Sequence, residues 1–209
     1  MQITNKKNER VIVYIDGFNL YFGMREAGFD KCRWLNVHKM IHKLLQPNQT
    51  LLQIKYFTSR VSNSPEKQKR QSTYIDALES QGVEIFYGNY QDGSQECKRC
   101  GHIWRTAKEK MTDVNIATTM LVDAFNDSYD MALLVSGDSD LVPPIKAIHT
   151  SFVHKRVVVA FPPKRHNSSI ALVAKGSLTI GRKTLVDSQF DEVVKSKTGY
   201  SLKIPNSWK

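Results

Sequence analysis

Asp16, Asn19, Asp138 and Asp140 are the residues whose types and spacing best suit chemistry. They close two short apolar runs, Val11-Ile12-Val13-Tyr14-Ile15-Asp16-Gly17-Phe18-Asn19 and Met131-Ala132-Leu133-Leu134-Val135-Ser136-Gly137-Asp138-Ser139-Asp140. Each run ends in glycine plus carboxylate, the pattern of a buried parallel strand reaching a loop. Ligands of open α/β sheets bind beyond the carboxyl ends of the strands, so acids arriving from two strands converge on one crevice. A further acid, Asp113, opens the helical segment after Lys110-Met111-Thr112. It faces the same crevice if that helix starts near the carboxyl edge of the sheet. Four carboxylates gathered there repel one another unless protonated or metal-bound. Magnesium or manganese is the hard cation such ligands select, and the chemistry implied is metal-assisted hydrolysis.

Ordinary roles compete at each position. An Asp opening a helix is a common N-cap, which is the plain reading of Asp113. Gly137-Asp138-Ser139-Asp140 also reads as a strand-to-helix turn with an Asx cap. Asp16 is harder to dismiss, because a buried apolar strand rarely ends in a carboxylate without a partner.

The elements that must position these residues alternate. Strands are expected at Val11–Asp16, Leu51–Val61, Val83–Tyr87, Met131–Val135 and Arg156–Phe161. In the second, Ile54, Tyr56 and Thr58 alternate against Lys55 and Phe57. A buried helix face runs through Trp34, Leu35, Val37, Met40, Ile41, Leu44 and Leu45. Another helix starts at Ser62-Asn63-Ser64-Pro65-Glu66 and ends at Gln81-Gly82. Thr112–Phe125 is amphipathic, with Val114, Ala117, Leu121 and Phe125 along one stripe. Helices are also expected at Leu141–Ile148 and at Asn167–Lys175, the latter closed by Gly176. Gly88–Lys110 shows no clear periodicity and reads as an excursion from the core. The alternation predicts a three-layer α/β/α domain around a mainly parallel sheet, with the first and fourth strands adjacent at its centre. The domain spans 11–190 and carries the 88–110 segment as an insertion. A tail of residues 1–10 precedes it, and a tail of 191–209 follows, fraying from Lys195.

The whole chain sets the bounds. Its 209 residues suit one α/β domain with a sizeable core. A formal charge of +10 and a pI of about 9.5 around an acidic site favour a polyanionic partner, nucleic acid before anionic membrane. The polar N-terminus has no signal-peptide h-region, and no apolar run approaches the roughly 18 residues of a membrane span. Three cysteines without a secretory signal point to a reducing cytoplasm.

Three stretches together resemble a known signature. They are Tyr14-Ile15-Asp16-Gly17-Phe18-Asn19-Leu20-Tyr21, Lys110-Met111-Thr112-Asp113-Val114-Asn115-Ile116-Ala117 and Leu134-Val135-Ser136-Gly137-Asp138-Ser139-Asp140-Leu141-Val142-Pro143. In this order they closely resemble NYN-domain proteins, with the bacterial LabA-like group the nearest branch. The likeness runs from about Val11 to Gln189. It implies a compact PIN-like α/β/α nuclease fold that cuts RNA with a divalent metal. It implies that Asp16, Asp113, Asp138 and Asp140 form an acidic quartet holding Mg²⁺ or Mn²⁺, and that Asn19 orients a metal-bound water or a phosphate. Ser136 then bonds an acid or a metal water, or else satisfies its own backbone. Lys110 contacts phosphate on the same reading, or is simply solvated.

Outside the quartet, Glu96-Cys97-Lys98-Arg99-Cys100-Gly101-His102 has the look of half a zinc knuckle. A full site needs four ligands, which Cys32, His102 or another chain would have to complete. Structural zinc at Cys97 and Cys100 and reduced free thiols both remain open. Basic residues gather where nucleic acid could reach them: Lys98, Arg99, Arg105 and Lys108 before the Asp113 helix, and Lys164-Arg165-His166 after the fifth strand. The latter leads into a helix N-terminus at Asn167-Ser168, which favours phosphate. Trp104 and Tyr90 either stack on bases or anchor the insertion.

The leading expectation is a metal-dependent endoribonuclease, with single-stranded DNA not excluded and homo-oligomerisation left open. A non-catalytic RNA-binding module of the same fold is the main alternative. A phosphatase of the haloacid dehalogenase type fits poorly, since it wants an Asp where Phe18 stands.

Overall fold

The computed structural model describes residues 8–61, 64–96 and 99–209, with 89–96 and 103–110 described as backbone. Strand β1 (Glu9–Asp16) is the axis of the sheet, and every residue from Val11 to Asp16 is buried. It pairs in parallel with β2 (Gln49–Ser59) on one side and β5 (Met131–Val135) on the other. Further strands β3 (Glu84–Glu96), β4 (Ile103–Lys110), β6 (Arg156–Phe161) and β7 (Gly176–Thr179) give the order β4-β3-β2-β1-β5-β6-β7. Among the described residues, the only antiparallel pairing in that sheet is β3 with β4. Chain direction across the sheet reverses between β1 and β5, which opens a crevice beyond their carboxyl ends.

The period-two alternation of β1 sorts the two cores. Val11, Val13 and Ile15 pack with residues of α1 (Gly17–Glu26), α2 (Val37–Leu44), α3 (Pro65–Ser80) and α7 (Arg182–Val186). Ile12 and Tyr14 pack with α4 (Thr112–Phe125), α5 (Val142–Ser151) and α6 (Ser168–Val173). Helices on both faces make the three layers, as expected. Asp16 shares the parity of Ile12 and Tyr14, so the end of β1 meets the layer that contains α4.

Four expectations need correction. Strand β2 does not alternate buried with exposed: Lys55 and Phe57 are buried too, because α4 covers their face. Lys55 is accommodated by donating to Asp123 at 2.7 Å. Second, α4 has the expected ends but a different inner face. Ile116, Met120 and Ala124 are buried, whereas Val114 is 62% and Phe125 79% exposed. Asp123 turns inward with them, and that polar residue hid the true stripe. Third, Gly176 opens β7 and the C-cap of α6 is Ala174.

Last, the segment from Lys195 onward does not fray. Strands β8 (Val193–Lys195) and β9 (Ser201–Lys203) pair, and Trp208 is buried with its ring 5.8 Å from Tyr74. A large aromatic with a core to enter overrides the polar residues around it.

Gly88–Lys110 is a strand pair. β3 pairs with β2 over Glu84–Gly88 and with β4 over Asn89–Glu96. The second half of β3 therefore runs past the carboxyl end of β2, and β4 returns to deliver Lys110 at the start of α4. Among the described residues no helix is long and apolar enough to cross a membrane.

Candidate metal and nucleic-acid site

Asp16 is fixed by its neighbours at the end of β1. The β1–β5 register pairs Ile15 with Val135 and so sets Asp16 beside Ser136. Ser136 is fully buried; its hydroxyl donates to Asp16 Oδ2 at 3.0 Å and accepts from the Asp138 amide at 3.1 Å. Both readings of Ser136 hold at once, since one hydroxyl serves the acid and the backbone. The Asn19 amide donates to Asp16 Oδ1 at 2.9 Å, making Asp16 the N-cap of α1.

Asn19 returns the tie: its side-chain oxygen accepts from the Gly137 amide at 3.0 Å. That oxygen is committed, so what Asn19 offers a ligand is its NH₂ donor. Asp138 Oδ1 accepts from the Asp140 amide at 3.0 Å and caps a short 3-10 turn. The Asx-cap reading of this motif is therefore correct as local structure, and it leaves Asp138 facing the crevice.

Asp113 is not a cap. The N-cap of α4 is Met111, in the left-handed region at φ 79° with no side-chain cap bond, and Asp113 is the helix's second residue. A left-handed methionine is a strained backbone position, and such positions gather at functional sites.

Asp16, Asn19, Asp113, Asp138 and Arg165 line one cleft of about 240 Å³. Its lining includes Phe18, Phe22 and Met111, to which the sequence reading assigned no role in the site. Asp140 is exposed on the turn after Asp138 and is not part of that lining. Among the described residues, no three His, Cys, Asp or Glu side chains lie close enough to hold a metal ion. The cleft is thus a rim of acids and not a preformed cage. In kind the donors fit magnesium or manganese: the three carboxylates of Asp16, Asp113 and Asp138 are hard oxygen ligands.

Arg165 reaches the cleft because its loop is pinned. Asn167 Nδ2 donates to the Gly137 carbonyl at 3.0 Å. A Cβ on Gly137 would lie 1.9 Å from the Arg165 carbonyl, so only glycine lets the two backbones approach. The glycine between strand end and acid was the available signal for this contact. Arg165 bonds Glu26 of α1, while its Nε is buried without a partner among the described residues. Lys164 is exposed beside it at φ 60°.

The hairpin residues divide. Arg99 and Cys100 are exposed, Lys110 and Arg105 lie in β4, and Cys97 and Lys98 fall outside the described residues. Cys32 does not point to zinc: it is buried in the core, and burial pushes its thiol up from the ordinary range.

A three-layer α/β/α sandwich with an acidic cleft at its switch point is a PIN-like fold. The NYN domain model matches residues 10–180, and the chain belongs to the NYN family, within the PIN-like nuclease superfamily. The chain is 27% identical over 199 residues to 6-hydroxy-3-succinoylpyridine 3-monooxygenase HspA of Pseudomonas putida. That match covers 77% of this chain and 62% of the relative, so the chain spans less than two thirds of that protein. The crystal structure of a protein of unknown function from Vibrio parahaemolyticus superposes with a TM-score of 0.58 and 22% identity. It covers 87% of this chain and 98% of the other, a likeness of fold.

Proposed function

We propose that the protein is a metal-dependent endoribonuclease. The observation that carries this is the convergence of Asp16, Asp113 and Asp138, from three separate elements, on one cleft at the carboxyl edge. When bound there, Mg²⁺ or Mn²⁺ supplies a more acidic water and charge stabilisation at a phosphodiester. The chain's own part is positioning. Asp16 is held from two sides by Ser136 and the Asn19 amide, so its carboxylate keeps one orientation. The Asn19 NH₂ and the spare Arg165 donor suit phosphate oxygens. Asp140 completes the acidic set from the turn outside the cleft. Lys164 and Arg99, both exposed, offer charge to an RNA backbone, and we assign Arg105 and Lys110 of β4 to the same role on residue type alone.

The test is cleavage of labelled single-stranded RNA and DNA with Mg²⁺, Mn²⁺ or chelator. RNA cleavage that needs metal and falls at least 100-fold in Asp138→Asn is the expected result. Metal-independent cleavage, or a fully active Asp138→Asn, overturns it. The resemblance to the Pseudomonas relative favours a second reading, oxidation of a small aromatic acid. Intact RNA under every metal condition, with oxygen consumed on a hydroxypyridine acid at the expense of an added two-electron reductant, would support that one instead.

A further inference from the structure

A second and larger cavity, of about 630 Å³, adjoins the acidic cleft, and the two share Phe18 and Phe22. It lies in the size range of small-molecule sites. Its walls are two helix faces. From α1 come Phe18, Tyr21, Phe22 and Arg25, spaced i, i+3, i+4, i+7; from α3 come Lys67, Arg70, Gln71 and Tyr74 with the same spacing. Tyr56 of β2 reaches it, and a Cβ on Gly17 would lie 2.5 Å from that ring, so glycine lets α1 start close against it.

The charge is the reverse of the cleft's. Four cations, Arg25, Arg33, Lys67 and Arg70, line this groove against one acid, Asp30, which Arg33 already binds. Arg70 meets the exposed Glu66 at a loose 3.8 Å. Phe22 is 39% exposed, with Tyr21 edge-on to it at 5.3 Å and Phe18 stacked at 6.0 Å.

We propose that this groove holds an unstacked nucleotide of a single-stranded RNA, its base on the Phe22–Tyr21 rings and its phosphates on Arg25 and Arg70. Planar rings accept any base by stacking, and spaced cations follow a backbone. A base inside an A-form duplex cannot reach such a wall. Cations on two helices suit consecutive phosphates better than the single carboxylate of a small aromatic acid. The orientation rests on the nuclease reading: the shared Phe18 and Phe22 then lead the neighbouring phosphate into the acidic cleft.

Binding in chelator, where no cleavage intrudes, separates the two ideas. The probes are a fluorescein-labelled uridine octamer, the same octamer paired to its complement, adenosine 5′-monophosphate and benzoate. Phe22→Ala and the double variant Arg25→Ala with Arg70→Ala should each weaken octamer binding about tenfold or more. The double variant should also lower the salt slope by about 1.4, two single-strand phosphate contacts. Adenosine monophosphate should compete, and the duplex should bind more weakly. Val153→Ala, 86% exposed in the turn before β6 at the amino edge of the sheet, should bind the octamer as the parent does. Parent-like binding in both groove variants, a duplex preference, or competition by benzoate but not the nucleotide overturns the proposal. Octamer binding lost in the groove variants without any metal-stimulated cleavage by the parent would sink the nuclease reading and leave the groove standing.

Discussion

At the amino edge of the sheet, Arg10 grips Asp130 through its main-chain amide at 2.8 Å and its guanidinium at 2.9 Å, and reaches Asp127 at 3.1 Å. Lys155, its side chain 1% exposed, donates to Asp127 at 2.7 Å, and Arg156 binds Glu9. At the carboxyl edge Asp16 accepts hydrogen bonds from the neutral Ser136 hydroxyl and the neutral Asn19 amide. Among the described residues, three acids share the cleft there with one lining cation, Arg165, itself bonded to Glu26. The same residue type thus serves two purposes in one sheet. Acids matched with cations set where strands begin, and on the proposed function the acids of the cleft are kept for a ligand. Asp123 belongs with the first group although it is buried mid-layer, since Lys55 at 2.7 Å and the Tyr14 hydroxyl at 2.6 Å both bind it. Burial, and then the bond to Asp123, push the Tyr14 phenol far above its ordinary range, so Tyr14 remains a donor.

That contrast can be broken from the structural side first. Lys55→Met leaves Asp123 buried with its cation gone, at a cost of about 3–5 kcal/mol. In a domain of this size that lowers the melting temperature by roughly 10 °C. Adding Asp123→Leu should restore part of the loss, because an apolar pair replaces a buried ion pair with little penalty while the buried Tyr14 hydroxyl loses its acceptor. A melt of Lys55→Met that matches the parent would show that the pair does not support the fold.

A smaller effect sharpens the comparison at the amino edge. Lys155, then Arg10, hold the Asp127 carboxyl at about 2, below its ordinary 3.8. A depressed carboxylate stabilises the fold above its unfolded value, and that contribution fades as pH falls from near 4 through about 2. Arg156 lowers the Glu9 carboxyl in the same direction. Denaturation of parent and Asp127→Asn between pH 6 and pH 2 should show a modest gap at pH 6 that closes by pH 2. A gap that widens on acidification would have the wrong sign.

Much of this was legible in the residues. Met131–Val135, Arg156–Phe161 and both ends of α4 follow from apolar run length and flanking turn residues, where local pattern and tertiary fate agree. The inner face of α4 was not legible, because Asp123 is buried by partners on β1 and β2 that lie 109 and 68 residues away. The hairpin was hidden for a related reason: its ladder partners are each other beyond the edge of the sheet, so neither strand needs an apolar alternation. In the cleft, the acids were visible by type. Their arrangement was not, since it depends on the β1–β5 register and on Gly137 admitting the Arg165 backbone.

The central claim is that the acids of the carboxyl edge serve a metal and not the fold. Calorimetric titration of Mn²⁺ into parent and Asp16→Asn, with a melt of each in chelator, tests it most directly. The substitution keeps the shape of the side chain and removes one of several mutually repelling charges. The parent should bind one or two ions, and Asp16→Asn should bind them roughly 10- to 100-fold more weakly, with at least the disturbance an outer-shell change causes. Its melting temperature in chelator should equal or exceed the parent's. Equal Mn²⁺ affinity in the two proteins, or a destabilised Asp16→Asn in chelator, would contradict the account.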